Sequence, residues 1–437
     1  MITKGMIKQM KEGLYTMKEL KRITIIQSVI DKKRTQKEAA IALKLSERQI
    51  RKIIKKYKEE GLDSIKHGNK NNKPVHAFSE TFKDNIIKLK LSNNYIDTNF
   101  SHFKDLLEER ENIKISYSAL YNILKSNGIN SKKSHRSKKI HRRRKRKECE
   151  GMLVQTDGTP FDWFGIGKKF SLHGYVDDAT GKILGLYMCE NECLMGYLEI
   201  TRQMLKKYGS PVAIYSDKYS VFFPTSSQKI TIEEQLEGKE KPTTQFHRIM
   251  DTLGIELIAA STSQAKGRIE RLWETLQDRL FNEFKIYNIK TIEEANKFLP
   301  KYIEKYNKQF AVKPENIESK FIPVPNYINL DLLLTNKLTR VIDNSGVFSI
   351  KNKKFQIVNN DILPNVKVDI YISHKIGIIV MHKEKRYKVV CIDNVPSSYS
   401  SLNLTKLCKE HELEVKLFAT NLCSFNSKET EPLLITS

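Results

Sequence analysis

The stretch MLVQTDGTPFDWFG at residues 152–165 begins the part of the sequence that decides the fold. It is followed by FSLHGYVDDATGKILGLYM at 170–188, a segment with helical character at 190–208, PVAIYSD at 211–217 and IELIAAS at 255–261. The apolar runs are short and separated by turn residues, as is typical of β-strands. The sequence therefore predicts three strands, a helix, a strand, a helix and a strand, which is an α/β arrangement around a mixed five-stranded sheet.

The segment SQAKGRIERLWETLQDRL at residues 263–280 predicts a helix that follows this sheet. Apolar residues recur in it at helical spacing, as a stripe that would pack on the sheet: Ile269, Leu272, Trp273, Leu276 and Leu280. Glu270 lies at the edge of the stripe and is expected to face inward. In that orientation its carboxylate could meet Asp157 of the first strand and Asp217 at the end of the fourth.

Asp157, Asp217 and Glu270 are the predicted catalytic residues and metal ligands. Carboxylate oxygens are the natural ligands of Mg²⁺, and Mn²⁺ accepts the same donors. Two such ions, about 3.5 to 4 Å apart, can hold the attacking and leaving oxygens of a phosphoryl transfer in line. The three acids together therefore indicate metal-dependent chemistry at phosphate.

Other acids of the same region have simpler explanations, because acids at strand ends and helix edges are usually solvated surface groups. Asp177 and Asp178 precede a glycine-containing turn and are expected only to shape it. Asp162 and Glu274 are closer rivals, and Glu274 lies one helical turn beyond Glu270.

The chain is strongly basic, and most of the excess charge lies near its beginning. It has 76 Lys and Arg against 51 Asp and Glu, a net charge of +25. Residues 1–150 hold 38 of these bases and 17 of these acids, and so carry +21 of that charge. An excess of this size is self-repelling unless an anionic partner balances it, and nucleic acid or an anionic membrane would serve.

The composition also excludes several classes of protein. No stretch approaches about 18 consecutive apolar residues and the N-terminus has no apolar signal core, so a cytoplasmic protein with no membrane partner is expected. The six cysteines form no CxxC pair and have no nearby His at zinc spacing. They are interpreted as reduced structural thiols rather than as a metal finger.

Residues 35–61, TQKEAAIALKLSERQIRKIIKKYKEEG, predict two short helices. Two pairs have the spacing of a capping box: Thr35 with Glu38, and Ser46 with Gln49. With the amphipathic segment before them they form a helix-turn-helix pattern, whose second helix enters the major groove of DNA. The predicted DNA contacts lie on that helix: Arg48, Gln49, Arg51, Lys52 and Lys55. A helical bundle with a solvated basic face is the alternative.

A basic segment, KKSHRSKKIHRRRKRK at residues 132–147, follows a second, looser pattern of this kind whose last helix starts at Ser116. The segment has eleven Lys or Arg and no acid, and is expected to lie along DNA phosphates. A solvated linker is the alternative, and a nuclear localisation signal is a weaker one. Further DNA contacts are predicted at basic residues of this segment and of the helix after the sheet: Arg142, Arg143, Arg144, Lys145, Arg146, Lys266 and Arg268.

Four motifs, QTDGTPFDWFG, YVDDATGKI, YSDKYSVF and SQAKGRIERLWETLQDRL, resemble those of the integrase-core transposases of the ISNCY type. The likeness runs over about residues 35–395. It implies a transposase with an RNase H-like catalytic core, which cuts the ends of an insertion sequence and joins the new 3′-hydroxyls to target DNA. It also implies that Asp157, Asp217 and Glu270 hold two Mg²⁺ or Mn²⁺ ions. The implied partners are double-stranded DNA, as terminal repeats and target, and further copies of the chain in a synaptic complex.

The sequence departs from this family in three places. Tyr219 stands where relatives often have His, and Gln277 stands where retroviral integrases place a DNA-binding Lys, so neither contact is carried over. Residues 224–244 lengthen the gap before the predicted third ligand with a polar stretch that is expected to be a surface loop. Two other functions stay open: a regulator or domesticated remnant that binds the same ends without cutting, and an RNase H-type nuclease acting on RNA hybrids.

Five segments are expected in chain order. They are a helix-turn-helix domain at 17–66, a second helix-turn-helix or winged-helix-like domain at 79–130, a basic linker at 131–147, the catalytic core at 148–312 and a small β-barrel at 329–395. The last module is predicted from short runs in which apolar and polar residues alternate.

Overall fold

The computed structural model of the chain describes eight stretches of it: residues 15–65, 78–131, 144–224, 243–260, 266–351, 353–358, 364–392 and 415–419. Arg142, Arg143 and most of the predicted loop at 224–244 lie outside the described residues. The chain divides into two compact units, residues 1–86 and residues 87–437. Among the helices of the described stretches, none is long and apolar enough to cross a membrane.

Three helices form the first unit: α1 Met17–Ile30, α2 Gln36–Leu43 and α3 Glu47–Glu60, the last followed by a 3₁₀ turn at Gly61–Ile65. Both predicted capping boxes are confirmed, because Thr35 and Ser46 each exchange hydrogen bonds with the residue three positions on. The helices pack through one apolar cluster that includes Ile26, Ala39 and Ile50. The two predicted helices and the amphipathic segment before them thus form a three-helix domain.

Helix α4, Glu80–Leu91, spans the boundary between the two units, and α5, Phe100–Arg110, and α6, Tyr117–Ser126, follow in the second. Ser116 caps α6 as predicted, since its hydroxyl accepts the N–H of Ala119. Helix α5 was not predicted, although its apolar residues recur at helical spacing and are buried: Phe100, Phe103, Leu106 and Leu107.

The central sheet of the second unit has five strands: β1 Val154–Phe161, β2 Phe170–Asp177, β3 Ile183–Cys189, β4 Ala213–Ser216 and β5 Glu256–Ala259. Their order across the sheet is β3-β2-β1-β4-β5. The first three strands pair antiparallel, whereas β4 is parallel to both β1 and β5. The predicted succession of strands and helices is therefore confirmed.

Helices cover both faces of this sheet: α7 Leu194–Lys207, α8 Gln245–Thr252, α9 Gly267–Ile286 and α10 Ile292–Phe310. Side chains of α9 and α10 share one apolar cluster with alternate residues of the strands, such as Leu172 and Val176. Side chains of α7 and α8 share a second cluster with Val154 and Tyr175. Since successive strand residues point to opposite faces, the sheet separates two cores. The predicted apolar stripe of α9 is buried in the first of them.

A short helix, α11 Leu330–Leu333, leads into a second sheet of six antiparallel strands: β6 Asn336–Val341, β7 Val347–Ile350, β8 Lys353–Ile357, β9 Lys367–Ser373, β10 Gly377–His382 and β11 Lys385–Cys391. The strand order is β6-β9-β10-β11-β8-β7, around one apolar core. Five strands coincide with the predicted runs and β6 was not predicted. No ladder joins β6 to β7 among the described residues, so closure into a barrel stays a prediction.

Candidate active site

Asp157 and Asp217 are brought together by the register of two parallel strands. Strand β1 pairs with β4 through Val154 opposite Ile214 and Gln155 opposite Tyr215. Two residues further on, the same register places Asp157 beside Asp217. Strand β4 ends at Ser216, so Asp217 begins the loop at the carboxyl edge of that strand.

Lys266 lies between these two carboxylates. Its ammonium nitrogen is 2.8 Å from Oδ1 of Asp157 and 3.5 Å from Oδ2 of Asp217. The second oxygen of Asp157 accepts a hydrogen bond of 3.2 Å from the indole N–H of Trp273. The Lys266 side chain is only 11% exposed, so its charge depends on the two aspartates for compensation. Two acids and one buried ammonium thus form the centre of the site.

Burial and neighbouring charges act against each other in this group. Burial raises the pKa of Asp157, the Lys266 ammonium lowers it and the Asp217 carboxylate raises it, and the net shift is upward. Burial lowers the pKa of Lys266, but the two aspartates outweigh burial and raise it. Two carboxylates thus face one ammonium, which leaves one formal negative charge unbalanced within the group.

The first turns of α9 are fixed over β1 by polar contacts. The side-chain oxygen of Gln155 accepts the backbone N–H groups of Arg268 and Ile269, each at 3.2 Å. Four residues beyond Trp273, Gln277 donates to the hydroxyl of Thr159 at 3.3 Å. Gln277, at the position where a DNA-binding Lys was not carried over, thus contacts the sheet.

Glu270 lies in the first turn of α9, and its side chain is exposed. The expectation that it faces inward is wrong in this respect, and no hydrogen bond or ion pair is found for it among the described residues. At about 100° per helical residue, Glu270 is about 40° from Lys266 around the helix, whereas Glu274 is about 80° away. Among the described residues, Lys266 and Trp273 contact Asp157, one turn before and one turn after Glu270.

The rival acids have structural partners. Asp162 accepts the backbone N–H groups of the two turn residues at 166 and 167. Asp177 is buried and accepts from the backbone and hydroxyl of Thr180, which confirms its predicted role in the turn. Asp178 does more than shape a turn, since it accepts a hydrogen bond from Gln155 and lies 3.6 Å from Nε of Arg268. Both buried acids therefore hold the edge of the sheet.

The described end of the basic segment is paired with protein groups. Arg144 forms an ion pair with Asp178, and Lys145 lies 3.0 Å from Glu315. Arg146 donates to two backbone carbonyl oxygens of the turn after β2. These residues dock this end of the segment on the central sheet, and their predicted contacts with DNA stay predictions.

Helix α3 presents its predicted DNA contacts to solvent. Arg48, Gln49, Arg51, Lys52 and Lys55 are all exposed, while Ile50 on the opposite side is fully buried. The side-chain oxygen of Gln49 accepts the N–H of Ser46 in the capping box, which leaves the amide NH₂ group of Gln49 as its donor.

Two features of the site were missed by the sequence analysis. Glu192, in the loop between β3 and α7, accepts a hydrogen bond from the hydroxyl of Tyr197 at 2.5 Å. The ligand atoms of His173, Cys189 and Cys193 lie within 4.8 Å of one another, although His173 is far from the cysteines in sequence. No periodicity or local spacing signals either group, because both depend on where α7 meets β2.

The His173 group is structural. The two ring nitrogens are used by the backbone, since one accepts the N–H of Cys193 at 3.2 Å and the other lies 3.2 Å from the carbonyl oxygen of Tyr187. Burial lowers the pKa of His173 to about 4, so the ring is neutral at pH 7. Cys189 and Cys193 are buried free thiols.

Sequence comparisons identify proteins to which this chain is similar. Residues 21–73 match the model of a helix-turn-helix domain. The chain is 36% identical over 369 residues to the transposase for insertion sequence IS1202 of Streptococcus pneumoniae, covering 77% of each protein. It is 32% identical over 357 residues to the putative transposase y4bF of Sinorhizobium fredii (strain NBRC 101917 / NGR234), covering 80% of this chain and 75% of that protein. The chain belongs to the family of insertion-sequence transposases.

Solved structures of viral integrases show a more distant likeness. The catalytic core domain of HTLV-2 integrase in complex with magnesium, in its trimeric form, matches with a TM-score of 0.25 and 15% identity, over 34% of this chain and 82% of that one. A simian T-cell lymphotropic virus intasome in complex with PP2A regulatory subunit B56 gamma matches with a TM-score of 0.30 and 13% identity, over 69% of this chain and 95% of that one.

Proposed function

We propose that this transposase cuts DNA at the ends of its insertion sequence and joins the new 3′-hydroxyls to target DNA, with Asp157, Asp217 and Glu270 as its catalytic acids. The observation that carries the proposal is the pair of aspartates held side by side by two neighbouring parallel strands, with a buried ammonium group between them. Family membership supports DNA as the substrate.

We assign the catalytic core to the RNase H-like class. The strand order β3-β2-β1-β4-β5, with one antiparallel half and one parallel half, supports this assignment. Helices on both faces support it as well, because they leave the carboxyl edges of β1 and β4 as the place where loops and α9 converge.

The donor set fits one or two divalent metal ions. Oxygen donors from carboxylates suit Mg²⁺ and Mn²⁺. The Lys266 ammonium stands in for a cation, since it occupies the space between Asp157 and Asp217 at ion-pair distances. Bound metal would supply Lewis acidity at the phosphate and lower the pKa of the attacking hydroxyl. Asp157 and Asp217 would hold it, with Glu270 completing the set from the first turn of α9.

The other residues of the site orient these acids. Trp273 donates to Asp157 and thereby fixes the rotamer of its carboxylate. Gln155 binds the first backbone N–H groups of α9, so Glu270 and Lys266 keep a defined position over β1. Lys266, once replaced by a metal ion, is placed to meet a phosphate of the DNA substrate.

DNA would also be bound by residues outside the group of catalytic acids. The exposed basic side of α3 supports major-groove binding by the first unit, with Arg48 and Arg51 among the base contacts. Arg268 and the basic segment at 132–147 would contact phosphates near the core. Two ends must be held together for joining, so we propose that further copies of the chain complete a synaptic complex.

The test uses the purified full chain, a labelled duplex with the ends that flank its own gene, and Mg²⁺ or Mn²⁺. Nicking and strand joining are followed on a gel for the wild type, Glu270→Gln and the matched variant Glu274→Gln one turn away. We expect metal-dependent 3′-end cleavage that Glu270→Gln reduces by roughly 10²- to 10³-fold. Glu274→Gln should cleave like the wild type.

Other outcomes would redirect the assignment. Tight end binding without cleavage under either metal would favour a DNA-binding protein that no longer cuts. Cleavage of an RNA–DNA hybrid in preference to the element ends would favour a nuclease. Loss of cleavage in Glu274→Gln but not in Glu270→Gln would move the third ligand by one turn.

A further inference from the structure

Asp178 is a buried carboxylate whose partners come from separate segments of the chain. It follows the last residue of β2 and is fully buried. Its Oδ2 atom accepts the backbone N–H of Lys147 at 2.9 Å, and its Oδ1 atom pairs with Arg144. Oδ1 also accepts a hydrogen bond of 2.9 Å from the side chain of Gln155 on β1. One carboxylate therefore joins the end of the basic segment to the strand that carries Asp157.

Gln155 connects Asp178 to the start of α9. The Gln155 side chain is fully buried. Its Nε2 atom donates to Asp178, while its Oε1 atom accepts the backbone N–H groups of Arg268 and Ile269 at 3.2 Å each. An amide rotated by 180° would set its NH₂ group against two N–H donors and its oxygen against a carboxylate. Asp178 therefore fixes the orientation of the amide, and the amide oxygen fixes where α9 begins.

Arg268 makes a second connection between the same segments. Its Nε atom lies 3.6 Å from Oδ1 of Asp178. Its Nη2 atom donates to the backbone carbonyl oxygen of Arg144 at 3.2 Å. The start of α9 thus contacts the end of the basic segment directly as well as through the buried carboxylate.

The start of α9 also carries the groups that surround Asp157. Lys266 lies 2.8 Å from one oxygen of Asp157, and the Trp273 indole donates to the other at 3.2 Å. Glu270, the proposed third acid, lies between these two residues in sequence. A displacement of the helix start would move all three relative to Asp157, and a misplacement of about 1 Å can cost about 10²-fold in rate.

We propose that Asp178 is a positioning residue for the catalytic acids, and that it acts through Gln155 to hold the start of α9 over β1. This inference rests on the proposed function of Asp157 and Glu270. Because Arg144 and the backbone beside it share the same carboxylate, the geometry of the active site depends on how the end of the basic segment is docked.

Trp273 reports the position of α9 without DNA or metal, because it donates to Asp157 and is largely buried. The chain has two tryptophans, and Trp163→Phe leaves Trp273 as the one emitter. The Trp163 indole N–H has no hydrogen-bond partner among the described residues, so this background removes none of their bonds. In it, Asp178→Asn sets an NH₂ group against donors that the carboxylate accepts. The emission of Trp273 should then shift to the red, and its quenching by acrylamide should rise severalfold.

Two matched variants separate positioning from stability. Asp177→Asn changes the neighbouring buried acid, which binds Thr180 and has no hydrogen bond or ion pair with α9 in the described part of the chain. It should lower the melting temperature about as much as Asp178→Asn and leave the emission unchanged. Arg144→Gln keeps the buried acid and removes one of its partners. It should shift the emission in the same direction as Asp178→Asn, but by less.

The kinetics of end cleavage by the full chain complete the test. Asp178→Asn should lower kcat about 10- to 100-fold with little change in KM, since the acids are misplaced while α3 still binds the ends. Gln155→Ala should do the same. The double variant should lose no more than the larger of the two single losses, because both residues act through one connection. Asp177→Asn should keep the wild-type kcat.

The outcomes distinguish this inference from the proposed function. If Asp178→Asn matches Asp177→Asn in emission and in kcat, Asp178 only stabilises the fold and the inference is overturned, whereas cleavage by the wild type upholds the proposed function. Multiplicative losses in the double variant would exclude Gln155 as the connection. If the emission shifts but the wild type cuts no DNA under either metal, the proposed function fails and the link between Asp178 and α9 stands.

Discussion

The two ends of α9 carry similar charged groups, but they differ in how far neighbouring charges of opposite sign compensate them. Beside its first turn, the Lys266 ammonium is shared by Asp157 and Asp217. In its last turns each charge has its own partner, as Asn99 binds Asp278 and Asp105 binds Arg279 at 2.8 Å. Negative charge is thus left over at one end of the helix and compensated at the other.

The last turns of α9 bind residues of α5 and α10 through buried charged groups. Glu283 is buried between His102, at 3.2 Å, and Lys305, at 2.6 Å. Burial raises the pKa of Glu283, but hydrogen bonds from His102 and Lys305 outweigh burial and lower it. Burial also raises the pKa of Asp157, and there the available partners do not outweigh it.

The difference teaches how to separate a structural acid from a functional one. Both groups are removed from water, which costs free energy for any charged group. A structural acid recovers that cost through cations of the same chain. When the negative charge of a buried acid is not balanced and a second acid lies beside it, the pair attracts a cation from solution. A catalytic metal ligand needs this property.

The largest expected effect is a loss of DNA cleavage, and it tests the beginning of α9, where negative charge is left uncompensated. Asp157→Asn should reduce strand cleavage by about 10³-fold or more, since a metal ion contributes several kcal/mol to phosphoryl transfer. End binding, measured by gel shift, should stay at the wild-type level because α3 is untouched. Asp105→Asn, at the other end of α9, is the matched control and should cleave normally. Equal cleavage by both variants would remove the functional distinction between the two ends.

The second effect is a loss of stability, and it tests the last turns of α9, where the charges are compensated. Glu283→Ala leaves His102 and Lys305 without their shared carboxylate, and should lower the free energy of unfolding by about 3 kcal/mol. Glu274→Ala, exposed on the same helix, should change it by less than about 0.5 kcal/mol. Urea denaturation followed by circular dichroism measures both. A Glu283→Ala variant as stable as the wild type would mean that the buried pairs do not secure α5.

The sequence predicts what depends on local pattern. Short apolar runs located β1 and β4, and with them Asp157 within the first strand and Asp217 just after the fourth, because a strand can be predicted from its own residues. Capping spacing located α2 and α3 in the same way. Helix α5 carried a helical repeat that was overlooked, and β6, NKLTRV, alternates too weakly to stand out.

The rest of the site depends on contacts between distant segments. Lys266 was predicted as a DNA contact, and its ion pairs with the aspartates arise only when α9 is laid over β1. Asp178 binds Arg144 of the basic segment for the same kind of reason. Such pairings are set by tertiary packing, which a single sequence does not display.

A third prediction compares two lysines of α9 and its neighbour α10. Lys266 and Lys305 each bridge two carboxylates, but only Lys266 lies where a metal ion is proposed to bind. Mn²⁺ should displace Lys266 and raise its rate of acylation severalfold, as measured by mass spectrometry, while the rate at Lys305 stays constant. An unchanged rate at Lys266 in saturating Mn²⁺ would show that the ammonium and the metal do not compete.

The smallest expected effect is a difference in pH dependence between the two ends. The pKa of Glu283 is lowered below its ordinary value of 4.5. Its contribution to stability should therefore be complete above about pH 4.5 and decline as the pH falls through the folded-state pKa. The pKa of Asp157 is raised above its ordinary value of 3.8, so its charged form costs stability at neutral pH, and that cost should disappear as the pH falls.

The gap in unfolding free energy between the wild type and Glu283→Gln should thus narrow with acid. As the pH falls, the free energy of unfolding of the wild type should rise relative to that of Asp157→Asn. Parallel slopes in metal-free urea titrations would mean that the two carboxylates are compensated alike.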